Sequence, residues 1–207
     1  GHEVSCTADA GGRWRADLPS MDACREGREL KAVELEPGFL FDSETSSATV
    51  SGCRFTGNVA TNASASGGAI YTGKAILVTN CTFAANRAQV NGGACVVSHE
   101  QSRFMDCVFV DNQARSYGGG VHGRGTLTAC AFTNNASQCA GAYYGDRLGV
   151  VTNCTFAFNL SDQVGSGIHS ATAYGSTFVD NHLKAGQQNN YGGGDGADSK
   201  FFDCTLS

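Results

Sequence analysis

Along residues 53–207 the apolar and polar positions repeat in one skeleton. A cysteine is followed two places on by phenylalanine and three places further by asparagine, C-x-F-x-x-N. After a short gap comes Gly-Gly-Ala and a hydrophobe. The skeleton starts at Cys53, Cys81, Cys107, Cys130, Cys154, Ser176 and Cys204, with offsets of 28, 26, 23, 24, 22 and 28 residues. A fixed period of this size means stacked units, none of which buries a core alone. The units are full of Gly, Asn, Thr and β-branched residues and hold no helical periodicity, which excludes helical repeats. Three short strands per coil fill the period, each pairing with its counterpart about 4.8 Å along the axis. The pattern therefore predicts an all-β chain, a single-stranded parallel β-helix of about six to seven coils.

The columns follow from alternation along a strand. Phe55, Phe83, Phe109, Phe132, Phe156, Phe178 and Leu206 face inward, and the cysteines two places earlier share that parity. Asn58, Asn86, Asn112, Asn135, Asn159 and Asn181 predict an asparagine ladder at a corner, because asparagine tolerates a left-handed turn and bridges stacked amides. Glycines near 67–68, 92–93, 118–119, 141, 165 and 192–193 mark a second corner. After them Ile70, Cys95, Val121, Tyr143 and Ile168 form another inward column, which Asp195 breaks.

Charge and composition set the first residues apart. Residues 1–50 hold 5 basic and 10 acidic residues, hence the whole net charge of −5, together with both prolines and the only tryptophan. They predict an N-terminal cap, residues 1–47, ahead of a repeat body, residues 48–207. Ser20 is a candidate N-cap for a short helix ending before Pro37. FLF at 39–41 and ATVSG at 48–52 predict the first strands. Cys6 and Cys24 lie outside the repeat, and a disulfide between them would staple the cap. The body is neutral, which argues against nucleic acid. No apolar run is long enough for a membrane-spanning helix.

The units CRFTGN, CTFAAN, CVFVDN, CAFTNN, CTFAFN and STFVDN, with GGAIY, GGACV, GGGVH, AGAYY, GSGIH and GGGDG, resemble the repeats of the polymorphic outer membrane proteins, chlamydial autotransporter adhesins. The resemblance covers residues 50–206. It implies a right-handed β-helix passenger, secreted or on the cell surface, that touches host or neighbouring surfaces. The chain stops three residues after Cys204, in mid-coil, as a piece of a longer protein or one whose end is covered would.

Candidate chemistry is sparse. The outward residues after the glycine corner are Tyr71, Val96, His122, Tyr144, His169 and Gly196. Of these Tyr71, His122, Tyr144 and His169 form a candidate stripe for stacking on a glycan, or a ladder that only stabilises the coils. A second surface flanks the Phe column, where Thr82, Thr155 and Thr177, with Thr56 and Thr133, lie among Val and Ala in a nearly uncharged strip. Such a strip resembles an ice-binding face, or simply reflects the β-propensity of Thr and Val. For a polysaccharide lyase or hydrolase the acids are too dispersed, since Asp111 and Asp180 are three coils apart and Asp106 lacks a third partner. A line of cysteines does not converge as a zinc site must, so free thiols packed as small hydrophobes are expected. GGDGADSK echoes a calcium repeat but has Lys200 where an apolar residue is required. The sequence thus points to a non-enzymatic extracellular module for a glycan or surface protein, without cofactor or metal. Ice binding and polysaccharide enzymology are the alternatives.

Overall fold

The structure, a computed structural model, describes residues 50–61, 63–184 and 194–207, and before them only the backbone of the strands Cys6–Ala8, Trp14–Ala16, Glu29–Leu30, Phe39–Leu40 and Ala48–Ser51. The described body is a parallel β-solenoid of about six turns. Three sheets run along it, of 8, 6 and 12 strands. The eight-stranded sheet carries the Phe strands, for example Thr82–Ala84, and the six-stranded sheet carries two- to five-residue strands such as Arg87–Ala88 and Leu160–Val164. The broad sheet is two ladders joined, because Tyr143–Thr152 and Ile168–Tyr174 run straight through a bend where earlier coils break.

Glu29–Leu30 pairs in parallel with Arg54–Phe55, Phe39–Leu40 with Ile70–Tyr71, and Ala48–Ser51 with Ile76–Thr79. The region assigned to a cap helix therefore enters the Phe sheet as a strand at residues 29–30. The rest of that helix, and Cys24 of the expected Cys6–Cys24 disulfide, lie outside the described residues. Leu30 there stands opposite Phe55, so the hydrophobe of the Phe column precedes the first C-x-F motif by one coil.

Inside, the predicted Phe column is a continuous stack. Ring centroids from Phe55 to Phe178 lie 4.8, 4.8, 4.5, 4.9 and 4.8 Å apart, with planes within 11° of parallel. Phe104 meets Phe109 edge-on at 5.7 Å. It belongs to a further inward column, Val50, Val78, Phe104, Leu127, Val151 and Ala173, in addition to the predicted one of Ile70, Cys95, Val121, Tyr143 and Ile168. Together these columns form the core.

The asparagines stack at a corner, as expected. The backbone N–H and Nδ2 of each donate to Oδ1 of the next: Asn86 to Asn112 at 3.0 and 2.9 Å, Asn112 to Asn135 at 3.0 and 2.9 Å, Asn135 to Asn159 at 3.0 and 3.0 Å. From Asn86 to Asn181 each Nδ2 also donates back to a Phe carbonyl, as Asn112 does to Phe83 at 3.0 Å. The left-handed conformation belongs to the residue before the asparagine: Gly57, Ala85, Asp111, Asn134, Phe158 and Asp180. The asparagine acts only through its amide. At the glycine corner Gly92 has φ +60, and a Cβ on Gly93 would sit 2.2 Å from the Gly119 carbonyl oxygen, so coils approach too closely there for a side chain.

The cysteines do more than fill space. The thiols of Cys81, Cys107, Cys130 and Cys154 point at carbonyls of the preceding coil, 3.7, 3.5, 3.6 and 3.5 Å away, and at the carbonyl two residues before each. The backbone N–H of Cys130 meets the Cys154 sulfur at 3.4 Å, and that of Cys154 meets the Ser176 hydroxyl at 3.1 Å. The column is a weak copy of the asparagine ladder, which is why serine substitutes in it. Burial also pushes the Cys95 thiol well above its usual range. Cys81, Cys95, Cys107, Cys130 and Cys154 should therefore resist a thiol reagent in the native protein and react after denaturation, while half-exposed Cys204 reacts at once. Mass mapping that finds any of those five labelled in the folded protein would contradict the buried column.

Candidate functional site

The outward stripe forms because the strands after the glycine corner stack in register. Tyr71 stands opposite Val96, Val96 opposite His122, His122 opposite Tyr144 and Tyr144 opposite His169. The next residue is Ala197, not the expected Gly196, and Gly196 stands opposite Ile168 where Asp195 was expected. The cause lies in the run of glycines at 192–194. The Gly167 N–H bonds to the carbonyl of Gly194 and the Ile168 N–H to that of Asp195, so Gly194 takes the place that Ser166 holds one coil earlier and the coil slips by one.

Three of the four predicted residues are in contact. His122 and Tyr144 stack at 5.2 Å and 23°, and Tyr144 and His169 at 5.0 Å and 9°. Tyr71 stands apart, 38% exposed, because buried Val96 separates it from His122. Tyr117 joins the group instead, 4.8 Å from Tyr144 at 50° and 6.1 Å from His122. It sits directly before the corner glycine Gly118, bridged to Asn91 and Cys139 in the neighbouring coils. The signal for it was an aromatic residue at a place where the neighbouring coils carry Asn91 and Cys139; it is 40% exposed.

The stacking decides what the stripe offers a ligand. Each ring face in the stack of His122, Tyr144 and His169 is turned toward its neighbour along the axis, so mainly ring edges face outward. Edges carry the hydroxyl and the ring nitrogens, and they suit hydrogen bonds better than face-on sugar stacking.

Burial lowers the His122 pKa below its ordinary value, against the opposing pull of Asp146. Its Nδ1 is buried and has no hydrogen-bond partner among the described residues. His169 is lowered for the same reason, opposed by Asp198, and its Nδ1 lies 2.8 Å from the Ser170 hydroxyl. Burial also raises the Tyr144 phenol, with a further push from Tyr117. Both imidazoles are therefore neutral at pH 7. Arg124 and Asp146 pair at 2.7 Å beside the stripe, both half in solvent, so the pair adds little stability.

The flat strip also has the expected register. Arg54, Thr82, Val108, Ala131, Thr155, Thr177 and Thr205 form one outward column, and Thr56, Ala84, Val110, Thr133, Ala157 and Val179 the other. No coil has threonine in both columns, so the hydroxyls are irregularly spaced. Asp111 and Asp180 lie on the left-handed corner before the asparagines and Asp106 on the corner before the cysteines. Among the described residues no three or more His, Cys, Asp or Glu side chains are placed to hold a metal ion. No described helix is long and apolar enough to cross a membrane.

The lowered histidine pKa values have a thermodynamic sign. The folded state takes up these protons less readily than the unfolded chain, whose histidines titrate near 6.5. The contribution is complete above pH 6.5 and falls as the pH drops below it. Chemical denaturation at pH 7.5 and pH 5 should show the protein less stable at pH 5, and His122→Gln should reduce that difference. An unchanged difference in the variant would remove His122 from the titration.

A family model described as the Chlamydia polymorphic membrane protein (Chlamydia_PMP) repeat matches residues 52–73, the stretch from the corner before Cys53 through the strand that carries Tyr71. No curated protein and no solved structure matches the chain. The match falls on three successive strands of one coil of this solenoid, and the later coils stack on that coil in the same register.

Proposed function

We propose that this chain is a non-enzymatic, adhesin-type β-helix module acting at a cell surface, and that it binds a neutral glycan or a glycosylated surface protein through Tyr117, His122, Tyr144 and His169, with Tyr71 at the stripe's far end. The observation that carries this is the unbroken contact of four rings on the outside of the solenoid. The core needs no such stack. The Phe column already supplies aromatic packing inside, whereas these rings hold polar edges at the surface. Neighbouring edges repeat about every 4.8 Å, close to one sugar ring, so an extended saccharide would meet one donor or acceptor per residue. The neutral imidazoles and neutral body favour hydroxyls over charged groups. The polymorphic membrane protein repeat supports an outer-membrane or surface location.

A glycan array followed by binding titration tests the proposal. Tyr71→Ala combined with Tyr144→Ala should abolish binding to the saccharide that the parent selects, with the melting temperature unchanged within a few degrees. A double variant that binds like the parent would make the stripe a structural ladder only.

A further inference from the structure

The six-stranded sheet carries a feature that the ring stripe does not use. Its strands present outward side chains in two columns with one inward residue between them. The inward residues are small, among them Ala60, Ala88, Ala114 and Ser137. Arg87, Gln113, Ala136 and Leu160 stand in register in the first column. Two places further along each strand, Gln89, Arg115, Gln138 and Asp162 supply the other wall, and Lys184 continues it in the next coil. The two columns enclose an open trough of about 430 Å³ that crosses the coils.

Its lining is unlike the rest of the body. Arg87, Arg115 and Lys184 line it, while Asp162 is the single acid among the lining residues and pairs with Lys184 at 3.8 Å. Asp111 and Asp180, on the adjoining corner, do not line it. Arg87 donates to the Gln113 amide oxygen, so the two side chains are ordered across neighbouring coils. Arg115 makes no ion pair among the described residues. Amides and guanidinium forks on a coil repeat of about 4.8 Å, with Ala136 and Leu160 as an apolar stretch of wall, form a surface for a ribbon of polar rings carrying negative groups.

We propose that this trough is a second binding site, one for an extended anionic polysaccharide whose carboxylate or sulfate groups pair with Arg87, Arg115 and Lys184. The proposal does not depend on the ring stripe, which faces outward from a different sheet and favours neutral sugars. A guanidinium fork takes either oxyanion in the same bidentate way, and lysine adds a point charge at the trough's end.

Surface-immobilised protein titrated with heparin, with polygalacturonate and with neutral dextran at low and moderate salt tests the site. Binding is expected for at least one polyanion and not for dextran, and should weaken severalfold between 50 and 200 mM NaCl. Preference for heparin or for polygalacturonate identifies sulfate or carboxylate as the group recognised. Arg87→Gln with Arg115→Gln should weaken polyanion binding at least tenfold at an unchanged melting temperature. Tyr71→Ala with Tyr144→Ala should leave it as in the parent, so the trough and the stripe can fail separately. Binding to neither polyanion, equal binding to dextran, or a double arginine variant that binds like the parent would each overturn the proposal.

Discussion

The whole molecule depends on hydrogen bonding between buried amides one coil apart. From Asn86 to Asn181 each Oδ1 accepts from both the backbone and the side chain of the preceding asparagine, and each Nδ2 returns a bond to a Phe carbonyl. Asn86, Asn112, Asn135 and Asn159 are fully buried, so no water replaces a missing partner. A shift of one coil against the next by a single residue would strand several such groups, at about 1–3 kcal/mol each. Apolar packing alone tolerates such slips better. The Phe column supplies bulk burial, and the ladder fixes which residue stands on which.

The outer surface inherits that register. Once the corner asparagines align, every outward position forms a column with the coil spacing, whatever residues occupy it. Aromatic residues in such a column stack face to face and offer their edges, as His122, Tyr144 and His169 do. Long polar residues in two columns flanking small inward ones leave a trough, as at Arg87 and Arg115. Two contact surfaces of different chemistry thus arise from one repeat, with no change in its core. Variation along the outer columns is free of the constraint that holds Cys, Phe and Asn.

The parts of this architecture legible in the sequence were those where one chemistry recurs at one spacing. Phe two after Cys and Asn three after Phe gave both ladders directly. The column through Val50, Val78, Phe104, Leu127, Val151 and Ala173 was hidden, because its residue types differ and its distance from the glycine corner varies from coil to coil. The left-handed corner was assigned to asparagine on its conformational tolerance, yet Ala85 and Phe158 occupy it, and nothing in either side chain advertises that backbone. The hydrogen bonding of the thiols was signalled only by Ser176, a hydroxyl in a cysteine column. The last coil was misregistered by one because three successive glycines offer more than one corner. The ring stripe was legible as a column, but the inclusion of Tyr117 and the direction of the ring faces depend on contacts across the corner.

The measurement that bears most directly on the ladder is the stability of Asn112→Leu, compared with Phe109→Ala three residues earlier in the same coil. The leucine variant keeps the volume but removes the acceptor for two Asn86 donors and the donor to the Phe83 carbonyl. It should lose at least about 3 kcal/mol in chemical denaturation, comparable with the 3–5 kcal/mol expected for the cavity left by Phe109→Ala. Amide exchange should rise in the coils on both sides. A loss below about 1 kcal/mol for Asn112→Leu, with exchange unchanged, would show that apolar packing alone sets the register and would contradict the account.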